Sequence, residues 1–187
     1  MNTTNRFTEF AGELGCVDVY HYPVKINNLE TECYLFGIID SCTQIVWVEI
    51  IEDLEALSLM FTTLKCFTIF SDYYNIKFRE LLSNGAIEKV LSTNDEKMNP
   101  FDRLLIEKGI FHRKSEGSAY SEILNNNIKE FWISLHLELL KGTVYEDKND
   151  LKDKIISYLY YYNEKRVHKG LRGMTPTEYN KICPRHL

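Results

Sequence analysis

The sequence predicts an α/β fold built on a five-stranded mixed sheet, and three observations carry that expectation. Three apolar, strand-like runs follow one another with short polar turns between them. At Asp53 the hydrophobic period lengthens from two residues to between three and four. Beyond that point strand-like and helical stretches alternate, which is the order that brings strands together in parallel.

The first run, from Gly12 to Tyr22, alternates β-branched and aromatic residues with polar ones and stops at Pro23. The polar turn KINNLE leads to a second strand over Glu32–Ile39. Asp40-Ser41-Cys42-Thr43 then turns the chain into a third, QIVWVEII. Strands joined this tightly pair as an antiparallel meander. Asp53 is placed to cap a helix whose Leu54, Leu57, Phe61, Leu64 and Phe67 form its apolar stripe. A second helical stretch is expected near Ile76–Leu82, stopping at Asn84-Gly85. AIEKVLST reads as the fourth strand, Pro100 to Lys108 as a helix stopped by Gly109, and IFH as the fifth strand. After the polar loop RKSEGSAYS, a long helix runs from about Ser121 to Leu140, striped by Leu124, Ile128, Phe131 and Leu135. A last helix covers Asn149–Val167. The division implied is a lead-in over residues 1–12, a core over 13–140 and a helical, basic extension over 141–187. Helices should cover both faces of the sheet.

Composition narrows the function classes. With 44% hydrophobic residues the chain can bury a substantial core, which excludes a disordered segment. There is no apolar run of the roughly 20 residues needed to cross a bilayer, and the opening MNTTNRFTEF lacks a signal-peptide pattern. The expectation is a protein of the bacterial cytoplasm, associated with the nucleoid and not with a membrane. The five cysteines, Cys16, Cys33, Cys42, Cys66 and Cys183, form no C-x-x-C pair and adjoin no histidine cluster, arguing against a disulfide framework or thiolate zinc. A net charge of −5 opposes a general nucleic-acid coat. The charge is split, however: residues 1–100 sum to −8 and residues 151–187 to +5. Contact with phosphate through part of the surface fits that split, as does an ordinary solvated surface.

The acidic residues suggest a site. Two-metal phosphoryl transfer needs carboxylates arriving at one point from separate elements, because hard Mg²⁺ prefers carboxylate oxygen and keeps some water for phosphate to displace. Asp18 sits between Val17 and Val19 in the first strand, where an acid is costly without a cation or a partner; the bland alternative is an outward-facing residue. The second candidate is the Asn94-Asp95 pair just after the expected fourth strand. The third is Glu122, in the first turn of the long helix, where an acid is also simply favourable to the helix dipole. Glu122, Asn126 and Lys129 share one helical face. His21 and His112 lack partners at ligand spacing and read as structural or surface residues.

Four pieces then resemble one family in the right order. GCVDVYHYP resembles the first active-site strand of integrase-core (DDE) transposases, and YLFGIIDSCTQIVWVEI their next two strands. GIFHRKSEGSAYSEILNNNIKEF resembles the segment that delivers their catalytic Glu. YYYNEKRVHKGLRGMTPTEY is similar to the C-terminal signature of bacterial insertion-sequence transposases, at Tyr162-Asn163, Arg166, His168, Leu171, Thr175-Pro176 and Tyr179. The signature has its own physical content. Gly170 is expected to stop the preceding helix, and Thr175-Pro176-Thr177-Glu178 makes a capping box with Pro at the first helical position. Lys165, Arg166, Lys169 and Arg172 form a basic edge among tyrosines, suited to DNA backbone or to an ordinary solvated helix end.

The resemblance implies an RNase H-like fold and a polynucleotidyl transferase that nicks DNA and transfers strands at transposon ends and target. Asp18 and Glu122 would hold Mg²⁺ or Mn²⁺ in a two-metal site completed by Asp95 or Asn94, and the protein would act as a dimer or larger assembly. The sequence departs from the family pattern in four places. Asn94-Asp95 reverses the usual Asp-Asn order, Glu96 replaces the Gly that follows, Ala119 replaces a Gly, and the interval from Asp95 to Glu122 is short. No helix-turn-helix pattern precedes the core. The alternative is therefore an inactive integrase fold kept for DNA binding or self-association. An RNase H-like nuclease acting on RNA–DNA hybrids is a third reading, disfavoured by the transposase-like tail.

Overall fold

The computed structural model describes residues 8–92, 98–115, 122–123 and 125–185. The chain runs through β1 (Leu14–His21), β2 (Val24–Ile26), β3 (Leu29–Thr31), β4 (Tyr34–Asp40), β5 (Val46–Ile51), α1 (Ala56–Tyr74), β6 (Glu80–Ser83) and α2 (Gly85–Leu91). It continues through α3 (Pro100–Glu107), β7 (Phe111–Lys114), α4 (Glu130–Leu135) between π-helical turns Asn125–Lys129 and His136–Leu140, β8 (Val144–Tyr145), α5 (Lys148–Glu164) and α6 (Pro176–Ile182). The main sheet has the order β5-β4-β1-β6-β7. β1, β4 and β5 are the antiparallel meander, and β6 and β7 extend it in parallel from the other side of β1. This is the RNase H-like, five-stranded mixed sheet that the element order predicted.

Alternation along the strands divides the core in two. Cys16, Leu35, Ile39, Val46 and Leu82 pack under Phe131, Trp132 and Leu135 of α4 and under α5. Val17, Phe36, Ile38 and Leu81 pack on the opposite face under α1, α2, α3 and α6. Helices thus cover both faces, and the expected stripe on the long helix is buried at Ile128, Phe131 and Leu135. Leu124 lies outside the described residues.

Several elements differ from expectation. KINNLE is more than a turn. It forms the β2–β3 hairpin, with Asn27 and Asn28 both at positive φ, as a two-residue hairpin turn requires, and β8 joins β2 to make a second small sheet. The Ile76–Leu82 stretch is not helical. Left-handed Asn75 ends α1, Ile76 is anchored in the core, and β6 follows. AIEKVLST is not a strand: Asn84 caps α2, and Ile87 and Leu91 bury one helical face. Asp53 does not cap α1, since its Oδ1 accepts from the N–H of Glu55, one residue before the helix. The helix also faces the other way. Leu59, Thr63, Cys66 and Phe70 are buried, whereas Leu57, Phe61 and Leu64 are exposed.

The C-terminal signature is built into this frame. α5 ends at Glu164, ahead of Gly170, which lies in a short 3₁₀ turn. Asn163 is fully buried and completes the sheet where β5 begins: its Oδ1 accepts from Val46 N–H (3.1 Å) and its Nδ2 donates to Val46 C=O (2.9 Å). Two orphan backbone groups of a strand edge are thereby satisfied by one side chain. The capping box at Thr175 is present as expected, with Pro176 opening α6. Among the described residues no helix is long and apolar enough to cross a membrane.

Candidate functional site

Asp18 lies in the middle of β1, opposite Gly37 of β4 and 5% exposed. Alternation puts it on the α4 face with Cys16 and Tyr20. Glycine at position 37 leaves room for Trp132, since a Cβ there would come within 2.7 Å of the indole. The ring lies against that gap and donates its Nε1–H to Asp18 Oδ2 (3.2 Å). Tyr20 stacks on the same indole, centroids 5.5 Å apart, and its hydroxyl meets His136 Nδ1 at 2.9 Å. A cleft of about 460 Å³ opens beside Asp18, walled by Tyr20, Trp132, His136 and Leu137 and carrying Lys129.

The other Asp18 oxygen is also taken. Oδ1 accepts the N–H of Val19 (2.7 Å) and the side-chain amide of Asn84. The orientation of that amide is fixed by the helix it caps. Asn84 Oδ1 accepts the N–H of Ile87 (3.0 Å), so the NH₂ group is the end that faces Asp18. Asn84 follows the last residue of β6, the strand parallel to β1, and so arrives where a second acidic residue would meet Asp18. Burial pushes the Asp18 carboxyl up to about 6, opposed by the Val19 and Trp132 N–H groups, by the charge of Lys129 and by Asn84.

A hydrogen-bonded chain secures the strand end that delivers Asn84. Ser83 Oγ meets His112 Nε2 at 2.9 Å, and His112 Nδ1 meets Asp102 Oδ1 at 2.6 Å. Asp102 also accepts from Asn99, and Glu88 Oε1 lies within reach of Ser83 and accepts Ser115 N–H. These are the partners of a Ser–His–Asp triad, but Ser83 has 0% of its surface exposed and no substrate could reach its hydroxyl. The chain ties β6 to β7 and α3. His112 is thus structural, and His21 pairs with Glu32 and stacks on Tyr34 at the surface.

The remaining candidates fall as follows. Glu122 is helical and exposed. Asn94 and Asp95 lie outside the described residues, following α2 and not a strand. Asn126 and Lys129 are exposed, and only Lys129 lines the cleft. Lys165, Lys169 and Arg172 are exposed. Arg166 Nη1 bonds both Glu138 oxygens, at 2.7 and 2.8 Å. Asn84 and Trp132 were not singled out from the sequence. Ser83-Asn84-Gly85, a polar-Asn-Gly step after an apolar run, was the available signal for the first. Nothing local marks the second.

Among the described residues, the surroundings of Asp18 do not present a two-metal carboxylate centre. Both oxygens are held by N–H donors, and the adjoining strand presents an amide donor where a hard cation needs an anionic oxygen. Among the described residues no group of three or more His, Cys, Asp or Glu could hold a metal.

Fold and site together define an RNase H-like domain with a buried carboxylate, Asp18, on its central strand. A family model described as integrase core domain matches residues 129–182. ORF3 of Spiroplasma virus SpV1-C74, named as an integrase, is 25% identical over 166 residues, covering 84% of this chain and 44% of that protein. InsK of insertion sequence element IS150 from Escherichia coli K12, named as a transposase, is 32% identical over 84 residues, covering 44% of this chain and 29% of that protein. The chain thus spans less than half the length of the curated relatives it matches. Among solved structures, the HTLV-2 integrase catalytic core in complex with magnesium aligns at a TM-score of 0.60 and 15% identity, over 91% of this chain and 97% of that one. A simian T-cell lymphotropic virus intasome aligns at 0.71 and 13% identity, over 95% of this chain and 57% of that one. These likenesses show the retroviral integrase core fold and, over residues 129–182, a similarity to the integrase core domain family.

Proposed function

We propose that this domain, polynucleotidyl transferase in kind, engages DNA and further copies of itself but has lost metal-dependent nicking and strand transfer. The observation that carries this reading is the amide of Asn84 donating to Asp18 while Trp132 donates to the other oxygen. An Asp at position 84 could still cap α2 with one oxygen. Its second, charged oxygen would then confront Asp18, an arrangement that a divalent cation relieves and an amide makes unnecessary. The likeness to an HTLV-2 core in complex with magnesium supports divalent metal as the ancestral cofactor. The DNA contacts proposed are Lys129 at the cleft, the exposed Asn126, and the exposed Lys165, Lys169 and Arg172 of the basic C-terminal part.

Titration calorimetry with Mg²⁺ and Mn²⁺ tests the reading. The natural protein should show no saturable binding at millimolar metal. Asn84→Asp should be destabilised by about 1–3 kcal/mol without metal, recover on adding it, and bind it in a manner abolished by a further Asp18→Asn. Saturable binding by the natural protein, lost in Asp18→Asn and in Glu122→Gln, would overturn the proposal in favour of an active transferase, with Asp95 or Asn94 as the missing ligand. Binding of duplex DNA with a steep salt dependence is expected in either case.

A further inference from the structure

Cys42 and Cys183 face one another where α6 meets the sheet, their Sγ atoms 3.0 Å apart. Cys42 lies in the turn between β4 and β5, and Cys183 is the C-cap of α6. The backbone on both sides is pinned. Asp40 accepts the N–H groups of Gly12 (2.9 Å) and Thr43 (2.8 Å) together with the Thr43 hydroxyl (2.7 Å), which fixes the turn. Ala11 N–H donates to Pro184 C=O (3.1 Å), which fixes the tail just beyond Cys183. The sulfurs therefore meet because the fold holds them there.

The other thiols are placed differently. Cys16 meets the Ser41 hydroxyl at 3.3 Å, and burial pushes its thiol up to about 12. Burial likewise pushes Cys33 up to about 11 and raises Cys66 further. Cys183 goes the other way, its thiol lowered chiefly by the hydrogen bond from Cys42. Both sulfurs are buried, and a lowered thiol in contact with a second cysteine is the arrangement of an attacking and a resolving cysteine.

We propose that Cys42 and Cys183 form a redox clasp, joined by mild peroxide and opened by thiol reductants, that fastens α6 to the sheet. The Cys183 thiolate attacks one oxygen of hydrogen peroxide, forming a sulfenic acid and releasing hydroxide. The Cys42 thiolate then attacks the sulfenic sulfur, expelling its hydroxyl. Two thiols and one peroxide become one disulfide and two waters, the sulfurs oxidised and the peroxide reduced. The sulfurs must close by about 1 Å to reach bonding distance, within the reach of side-chain rotation. The bond would close a loop containing most of the domain, the case in which a cross-link restricts the unfolded chain most. The clasp is independent of whether the Asp18 centre binds metal.

The test treats the full chain with stoichiometric hydrogen peroxide and reads free thiols, intact mass and a non-reducing peptide map. Two of the five thiols should disappear with the loss of two hydrogens in mass, the map should join the Cys42 and Cys183 peptides, and the melting temperature should rise by about 5 °C or more. Reductant should reverse all three changes, and Cys42→Ala should show none. Persistence of five thiols would overturn the proposal, as would oxygen added to one sulfur without cross-linking, or a map joining other cysteines. The map on the natural protein decides the matter even if Cys42→Ala fails to fold.

Discussion

Asn163 and Asp18 are both buried polar residues on pieces of sequence that resemble integrases, yet their surroundings do opposite things. Around Asn163 the neutral side chain meets one donor and two acceptors that suit it: Val46 N–H, Val46 C=O and the Tyr74 hydroxyl. Around Asp18 burial raises the proton affinity of the carboxyl, and three N–H donors and one nearby cation only partly oppose it. The C-terminal signature is satisfied as structure. At the acidic centre N–H donors occupy both Asp18 oxygens, the arrangement on which the proposed loss of metal rests. If the proposed loss of metal chemistry holds, features that keep this fold together and features that perform its chemistry are separable.

Removing Asn163 should have the largest effect. Asn163→Ala leaves a buried N–H and a buried C=O of Val46 without partners, at a cost of about 3–5 kcal/mol. A chain of this size should then melt roughly 6–15 °C lower. Thermal and urea unfolding measure this, and a shift of only a degree or two would break the comparison by showing that β5 does not depend on the signature.

The acidic centre should show itself through pH. Folded Asp18 titrates near 6, against 3.8 for an ordinary carboxyl, so the folded state holds the extra proton between those values. Stability contributed by this group is present in acid, falls as pH rises from about 4 to about 6, and is flat above. Relative to Asp18→Asn, the natural protein should lose about 2–3 kcal/mol across that window. A difference that does not vary with pH would mean that Asp18 is already fully ionised and well solvated, which would reopen the case for a metal ligand.

How far the sequence disclosed these two regions follows from the residues themselves. The meander, the stripe of Ile128, Phe131 and Leu135, and the Thr175 capping box were legible because each is a local pattern repeated or closed within a few residues. β6 was not. Its four residues include Leu81 and Leu82, side by side and both fully buried, one on each face of the sheet, so no period appears and the run passes for a helix. That misreading moved the expected strand end past α2 to Asn94-Asp95, and with it the residue expected beside Asp18. Taken from Asn84, the interval to Glu122 is longer, and the shortening inferred from Asp95 disappears. The face of α1 was misassigned because it is apolar on two sides, and tertiary packing chose Leu59, Cys66 and Phe70 over Leu57, Phe61 and Leu64. Trp132 could not be found locally, because its role depends on Gly37, far away in sequence.

The smallest effect, and the sharpest test of the basic edge, concerns Arg166. The signature reading makes it a DNA contact, but its guanidinium bonds both Glu138 oxygens and lies over the Tyr162 ring at 5.6 Å. A pair this exposed contributes little: Arg166→Ala should cost about 0.5–1 kcal/mol once solvent screening is counted. A phosphate approaching Arg166 would have to compete with a carboxylate already held in a forked geometry, whereas the ammonium of Lys169 is exposed. Measured by fluorescence anisotropy on duplex DNA over a range of salt, Lys169→Ala should weaken binding and reduce the salt slope by about one. Arg166→Ala should leave the slope unchanged. Equal losses for both would show that DNA displaces Glu138, and would make the signature a binding surface as well as a structural one.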